Sequence, residues 1–369
     1  MQKFISVILL MCYLHVASAQ VHVNNPVDPG DTELTSAIAF VSAYFSDFSP
    51  AKKFLPDFSR YWSAEDCGTY RIPDHMVYAL STSVPTYMLG EANILMAKPE
   101  QNYIHIKTMF SRVDSAGRVI VSCITNHYIT RDASGAMRFI DPMKINSADW
   151  RTTSVRNIIY HYPAYHHFDK KKANTLATSI AQLENDWHLQ PIGINYYFAD
   201  TKEEIEHYRG FDFTIAMGNR NKPTGMSDGI DNIIYCGGLG ENYLHEVVHI
   251  YLNRLFPQSP LIEGLAVFYG GSLGHELAWH VKRVAQYLNA HPEINLNNPD
   301  DFYYLDNYTN PLSTIQGLLC YISFTKGGID GLKRTMSYTS LDELFAKDYK
   351  VQKGDWDRFL RKLINDAAQ

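Results

Sequence analysis

Alternating apolar and polar residues mark three stretches in the first half of the chain, at residues 103–107, 119–124 and 136–140. Such alternation is typical of half-buried β-strands, and short turn segments containing Asp, Ser and Gly separate the three stretches. Two helix-like stretches precede them, at residues 35–45 and 51–62. The pattern predicts a small amino-terminal α+β domain, residues 20–150, built from helices and an antiparallel sheet.

The second half of the chain mixes short apolar runs with helical periodicity. Residues 169–187 carry their apolar side chains on one helical face, which must pack on a sheet. Thr201 and Glu204 have the spacing of a capping box, so a short helix is expected to begin there. Further elements are expected as strands at 157–162, 192–198 and 232–236 and as helices at 277–289, 311–325 and 355–366, with a break at 327–328. The pattern predicts a second domain, residues 151–369, in a chain of the α+β class.

One expected helix carries the residues with the most specific chemistry. His245 and His249 are four residues apart, so their side chains lie on the same face of a helix, and Glu246 follows the first histidine. Two imidazoles placed in this way can bind one tetrahedral zinc ion, and the carboxylate can take a proton from a zinc-activated water. The structural alternative is a core helix with two satisfied histidines.

Glu263, fourteen residues after His249, is the candidate for a third zinc ligand. Two histidines and one glutamate leave a fourth position open, which separates catalytic zinc from structural zinc. Pro260 suits the start of a second helix, and Gly264 and Ala266 would allow that helix to pack closely against the first. The alternative for Glu263 is a solvated acid at a helix start.

The HEVVH array at residues 245–249 and the LIEGLAVFY segment at 261–269 resemble the gluzincin metallopeptidases, the clan of thermolysin and the zinc aminopeptidases, particularly its short-spaced extracytoplasmic members. The resemblance covers roughly the last 200 residues. It implies a catalytic domain with a mixed sheet, a zinc helix and a mostly helical carboxyl-terminal part. It also implies that His245, His249 and Glu263 bind Zn²⁺ and that Glu246 is the general base.

Two departures from the family pattern leave the subfamily open. The distance from His249 to Glu263 is shorter than in thermolysin or in the gluzincin aminopeptidases. Where those aminopeptidases carry a Gly-x-Met-Glu-Asn element, this chain has GMSDGIDN at residues 225–232. The choice between endopeptidase and aminopeptidase is therefore not predicted. The amino-terminal domain is similar in outline to nuclear-transport-factor-like domains, a likeness of shape alone.

Gluzincins commonly use a tyrosine or a histidine to stabilise the oxyanion of the tetrahedral intermediate. Tyr308 precedes an expected helix that resembles the family's tyrosine helix, so the resemblance implies this role for Tyr308, with Tyr304 as second candidate. Ordinary packing is the alternative, because the chain contains 25 tyrosines. The strand at 232–236 directly precedes the metal helix, and we expect it to be the sheet edge on which a peptide lies extended. An internal strand is the alternative.

Two further groups of histidines lie outside the HEVVH array. His275 and His280 are five residues apart, which is the wrong helical spacing for a second metal motif, so a surface or packing element is expected. His161, His166 and His167 lie in an aromatic segment that could reach the cleft. A surface loop with aromatic packing is the favoured interpretation for these three.

The first nineteen residues have the pattern of a secretory signal peptide. Lys3 is basic, residues 4–16 are apolar, and the small residues 17–19 predict cleavage after Ala19. Lipidation of Cys12 is the less favoured alternative, because Met11 precedes it where a small residue is expected. No later run approaches the roughly 18 apolar residues that span a bilayer. We expect a secreted or periplasmic protein with no membrane span in the mature chain.

Charge and cysteine content narrow the possible partners. The formal net charge is −6 over 369 residues and no basic block stands out, which argues against a nucleic-acid partner. Four cysteines follow the signal segment, and none has C-x-x-C spacing, so disulfides and buried free thiols both remain open: Cys67, Cys123, Cys236 and Cys320.

The expected function is zinc-dependent hydrolysis of peptide bonds in a peptide or protein substrate. Two alternatives remain: an exported, non-catalytic binding protein that retains a structural zinc helix pair, and hydrolysis of a non-peptide amide or ester at the same zinc. Substrate preference and oligomeric state are not predicted.

Overall fold

The computed structural model describes residues 21–24, 27–48, 57–67, 91–214, 217, 222–302, 305–306 and 308–369. They divide into two compact units, the second of which begins at Asp141. Helices and mixed sheets both contribute, so the predicted α+β class is confirmed. The expected signal peptide, the first part of the expected helix 51–62 and Tyr304 lie outside the described residues.

The first unit consists of helix α1, Thr32–Asp47, and a sheet whose strands follow one another in chain order. The strands are β1 Val21–Val23, β2 Glu91–Pro99, β3 Ile104–Val113, β4 Val119–Arg131 and β5 Met137–Ile140. All neighbours are antiparallel except β1 and β2. The predicted meander from β3 to β5 is confirmed. Tyr44 of α1 packs edge-on against Phe139 of β5, with ring centroids 4.9 Å apart, and helps to form an aromatic core.

The second unit is built on a mixed five-stranded sheet in the order β10-β11-β8-β7-β6. Its strands are β6 Arg151–Val155, β7 Ile158–Tyr162, β8 Ile194–Ala199, β10 Thr224–Asp228 and β11 Ile233–Gly237. Strand β9, Phe211–Thr214, is not part of this sheet. The three central strands are parallel to one another, and each outer strand is antiparallel to its neighbour.

The expectation that the strand before the metal helix forms the sheet edge is wrong. β11 lies between β10 and β8, and within the described residues β10 pairs on one side only. The physical reason is the turn at residues 229–232, which folds β10 back along the outer side of β11. The sequence of β10, Thr-Gly-Met-Ser-Asp, is poor in the β-branched and aromatic residues that favour strands, so the pattern of side chains did not predict it.

Three helices accompany this sheet: α2 Pro142–Asn146, α3 Lys170–Trp187 and α4 Lys202–Tyr208. The predicted apolar face of α3 is buried in the core, and the predicted capping box at the start of α4 is present in both directions. The side-chain amide of Asn146 donates to the carbonyl groups of His207 and Tyr208. This contact ties α2 to α4, and the second unit therefore starts before the expected boundary at 150.

The carboxyl-terminal part is mostly helical, as expected, with α5 Leu244–Leu252, α6 Ile262–Gly270, α7 Leu277–Ala290, α8 Pro311–Met336, α9 Leu341–Leu344 and α10 Trp356–Ala368. α8 runs beyond the expected end at 325, but Gly328 interrupts it with φ of 56°, at the expected break. One apolar core joins these helices to α3 and to one face of the sheet.

The four cysteines of the described residues, Cys67, Cys123, Cys236 and Cys320, are all free thiols, which decides between the two alternatives left open by the sequence. Among the helices that the structure describes, none combines the length and the apolar character that a bilayer crossing requires.

Candidate metal centre

Helix α5 is buried on every side, because it lies between the sheet and the carboxyl-terminal helices of the second unit. Every residue from His245 to Leu252 is buried, and the helix gives way to a 3₁₀ turn, Asn253–Leu255, just ahead of Pro257. The two histidines are only 6% and 9% exposed. Polar side chains in such a position need defined partners.

The three predicted metal ligands lie together. Nε2 of His245 is 3.2 Å from Nε2 of His249, and the Glu263 oxygens lie 3.7 Å and 3.5 Å from these two nitrogens. Zinc–ligand distances of about 2.0–2.1 Å at tetrahedral angles place ligand atoms roughly 3.3–3.4 Å apart. Within the ranges that the structure describes, no other set of three or more His, Cys, Asp or Glu side chains has metal-binding spacing.

Each imidazole is held through its other ring nitrogen. Nδ1 of His245 is 2.6 Å from the carbonyl oxygen of Gly271, and Nδ1 of His249 is 3.2 Å from Oδ1 of Asn253. A carbonyl oxygen can only accept, so Nδ1 carries the proton and donates, and the lone pair on Nε2 is free for a cation. The outer contacts therefore fix the orientation of both rings and leave Nε2 of each able to bind a cation.

The loop after α6 supports this arrangement. Gly271 has φ of 66°, which favours glycine, and its carbonyl group faces His245. Nε2 of His280 donates to the carbonyl oxygen of the next residue, Ser272, at 3.1 Å. His280 is buried, in agreement with the expected packing element. Its contact with the loop after α6 depends on the fold and not on spacing in the sequence.

The sequence had suggested that α6 approaches the metal helix closely at Gly264. The close approach occurs at Gly270 instead. A Cβ atom on Gly270 would lie 2.3 Å from the backbone nitrogen of His245, whereas one on Gly264 would lie 2.4 Å from Gln316 of α8. Six residues of helix turn through about 600°, so the two glycines lie on faces roughly 120° apart. Gly264 therefore packs α6 against α8.

Glu246 lies at the interface between α5 and the edge strand β10. The residue is 5% exposed, and a Cβ atom on Gly225 would lie 2.7 Å from its Oε1. The same Cβ would lie 2.2 Å from the ring of Tyr243, which stacks on His245 at an angle of 8°. The absence of a side chain at Gly225 thus makes room for Tyr243 and for the predicted general base.

Electrostatics favour opposite charges within the triad. Burial lowers the pKa of His245, but the Glu263 and Glu246 carboxylates outweigh it and raise that pKa. The Glu263 side chain is 60% exposed, and although desolvation within the triad raises its pKa, the facing histidines outweigh that effect and lower the pKa to about 2. Glu263 stays ionised at neutral pH, and a cation could take the place of the protons on the imidazoles.

Tyr308 lies just before α8, where its backbone N–H donates to Oδ1 of Asp306. Its ring is edge-on to His275, with centroids 5.8 Å apart. His275 in turn stacks on Trp279. The role of Tyr308 as an oxyanion donor stays a prediction.

His161 and His166 show the aromatic packing expected for their segment. His161 stacks on Tyr197 at 4.2 Å, and His166 is edge-on to Phe198 at 4.9 Å. The sequence pattern missed that His166 also lies between Asp200, at 2.6 Å from Nδ1, and Glu241, at 2.9 Å from Nε2. Glu241 is buried just ahead of the metal helix.

A cleft of about 350 Å³ lies beside His249. It is bounded on one side by β10 and the turn after it, and on the other by the end of α5 and the start of α6. The lining residues include Ser227, Gly229, Asn253, Arg254 and Ile262. A ligand in this cleft would lie next to the triad.

No protein-family model, curated protein or solved structure matches the chain. The functional interpretation therefore depends on the geometry of the site and on the resemblance of its motifs.

Proposed function

We propose that this chain is an exported zinc metallopeptidase, secreted or periplasmic, that hydrolyses peptide bonds. The observation that carries the proposal is the triad, in which the two Nε2 atoms are 3.2 Å apart, each has a Glu263 carboxylate oxygen within 3.7 Å, and each histidine has its Nδ1 engaged elsewhere. Two imidazoles and one carboxylate suit zinc and leave a coordination position for a substrate or water. His245, His249 and Glu263 would hold the metal.

Zinc, when bound, supplies Lewis-acid activation of water and of the scissile carbonyl. Glu246 would accept the proton of the attacking water and return it to the leaving amine. Its burial next to the ligands supports this role, because a purely structural zinc site needs only the ligands. Tyr308 is the proposed hydrogen-bond donor to the developing oxyanion.

The substrate backbone would extend the sheet at β10. An extended peptide can pair with the free edge of a strand through its backbone N–H and C=O groups. Along β10, Gly225 lies against Glu246 and Ser227 lines the cleft beside His249, as expected for alternate residues of one face. A peptide on this edge would thus pass the triad.

The test is the Glu246→Gln variant, which is expected to retain zinc and to lose activity about 10²–10⁴-fold, because the proton acceptor is removed. Zinc content is measured by elemental analysis, and hydrolysis is measured with a diverse peptide library, with and without a chelator. Glu276→Gln, at an exposed position, is the matched control and should cleave like the wild type. Full activity of Glu246→Gln would overturn its assigned role.

The same screen separates the alternative functions. A zinc-loaded wild type that cleaves no peptide, amide or ester would favour the non-catalytic binding protein. Cleavage of amides or esters but not of peptides would favour the third alternative.

A further inference from the structure

The cleft beside the triad continues along the metal helix to Arg254. Gly225 lies against Glu246 at one end, and Gly229 receives a hydrogen bond from Arg254 at the other. Strand β10 with the turn after it therefore runs side by side with α5 and the 3₁₀ turn after that helix. Six steps of α-helix and two of 3₁₀ turn from Glu246 to Arg254 rise about 13 Å, and four residues of strand also rise about 13 Å, so the two spans match in length.

Arg254 is exposed, and its guanidinium group contacts only neutral protein atoms in the described residues. Nη2 donates to the carbonyl oxygen of Gly229 at 3.2 Å and to Oδ1 of Asn232 at 2.8 Å. The nearby carboxylate of Asp228 has its Oδ1 engaged by two backbone N–H groups of the same turn. Nε and Nη1 of Arg254 remain as donors for a further partner.

We propose that Arg254 binds a carboxylate of the peptide substrate, supplied by an acidic side chain or by the carboxyl terminus. This inference rests on the proposed peptidase function. Arginine forms paired, charge-assisted hydrogen bonds with carboxylates, and the positive charge beside the cleft favours an anion there.

The helix also indicates where along the substrate the carboxylate lies. His249 is separated from Arg254 by three steps of α-helix and two of 3₁₀ turn, which correspond to a rise of about 8.5 Å. An extended peptide advances about 3.3 Å per residue. The recognised carboxylate is therefore expected about two to three residues from the cleaved bond.

The experiment starts from any peptide that the zinc-loaded wild type cleaves. In one arm, Glu or Gln is placed singly at each of the three positions on either side of the cleaved bond. In the other arm, the carboxyl terminus is an acid or an amide. One position, or the terminus, is expected to show at least a tenfold higher kcat/KM for the carboxylate than for the amide. Arg254→Gln should reduce this ratio to about one, and Arg254→Glu should make a substrate Lys preferred at the same position.

Two variants serve as controls. Arg254→Lys keeps the charge and should keep part of the preference, whereas Arg358→Gln removes an exposed arginine of α10 that does not line the cleft and should leave the preference intact. Binding gives a second readout: in the inactive Glu246→Gln background, replacing Arg254 with Gln should weaken binding of the carboxylate peptide about tenfold and leave the amide peptide unchanged.

The outcomes distinguish the two proposals. A wild type that cleaves no peptide defeats the proposed function. A wild type that cleaves peptides but keeps the same carboxylate-to-amide ratio after Arg254→Gln, or shows no carboxylate preference at any position, overturns the role of Arg254 alone.

Discussion

His166 is positioned between one half-exposed carboxylate, Asp200, and one buried carboxylate, Glu241. Partial burial lowers its pKa, but the hydrogen bonds and charges of the two carboxylates outweigh burial and raise the pKa above its ordinary value. The folded state therefore binds the proton more tightly than the unfolded state. The resulting stabilisation is fully present below the unfolded pKa of about 6.5 and is lost as pH rises through the folded pKa.

The first prediction follows from the direction of this pKa shift. His166→Gln should lower the free energy of unfolding by about 1–2 kcal/mol at pH 6, and by clearly less at pH 9. Urea unfolding of metal-free wild type and variant at both pH values measures the difference. His167→Gln, at the exposed neighbouring position, should change stability little at either pH. An equal loss for His166→Gln at both pH values would contradict the assignment.

At the residue scale, the sequence predicted the features that depend on local helical geometry. His245 and His249 share a helical face because of their spacing, and Asn253 follows His249 by a further four residues, so its contact with Nδ1 was also open to prediction. The partner of His245 could not be predicted in this way, because it is the carbonyl group of Gly271, which lies at the end of a different helix, α6. The contact of His280 with the same loop likewise depends on tertiary packing.

At the element scale, Gly225 is the residue of β10 whose replacement is expected to have the largest effect. The ring of Tyr243 and the carboxylate of Glu246 lie directly against Gly225, so an added methyl group has no space. Gly229, in the turn after the same strand, would place a Cβ in open space. The two positions form a matched pair for testing how closely β10 must approach the metal helix.

We predict that Gly225→Ala lowers stability by about 1–3 kcal/mol and reduces peptide hydrolysis, because the methyl group pushes β10 away from α5. Gly229→Ala is the control for stability, which it should change by no more than about 0.5 kcal/mol. Urea midpoints and kcat/KM measure both effects. Wild-type stability and activity in Gly225→Ala would show that the strand and helix are not packed as described.

Elements with strong local signals were the predictable ones. The capping box of α4 and the apolar face of α3 are properties of short sequence windows, and both were found where expected. β10 has no alternation and, apart from Thr224, no strand-favouring side chain, and only its pairing with β11 makes it a strand. Because the identity of the sheet edge depends on that pairing, the edge was assigned to the wrong strand.

At the scale of the whole molecule, the triad belongs to one of the two units. The metal helix, the second ligand helix and the supporting loop all follow Asp141, where the second unit begins. The sequence predicted two domains from the change in pattern, the second from residue 151. The second compact unit includes α2, which contacts α4 through residues that are not local in sequence. Metal binding should therefore act on the second unit.

The final prediction concerns zinc and stability. A ligand that binds only the folded state stabilises it by about 2.7 kcal/mol at a free concentration of a hundred times Kd, which for a unit of this size corresponds to a rise in Tm of roughly 5–10 °C. Added zinc should produce this rise in the wild type and in Glu246→Gln, but not in His249→Ala, which lacks a ligand. Hydrogen exchange followed by mass spectrometry should show the added protection in α5 and α6 and not in strands β2–β5 of the first unit. Equal stabilisation of His249→Ala, or protection centred on the first unit, would place the zinc somewhere other than the triad.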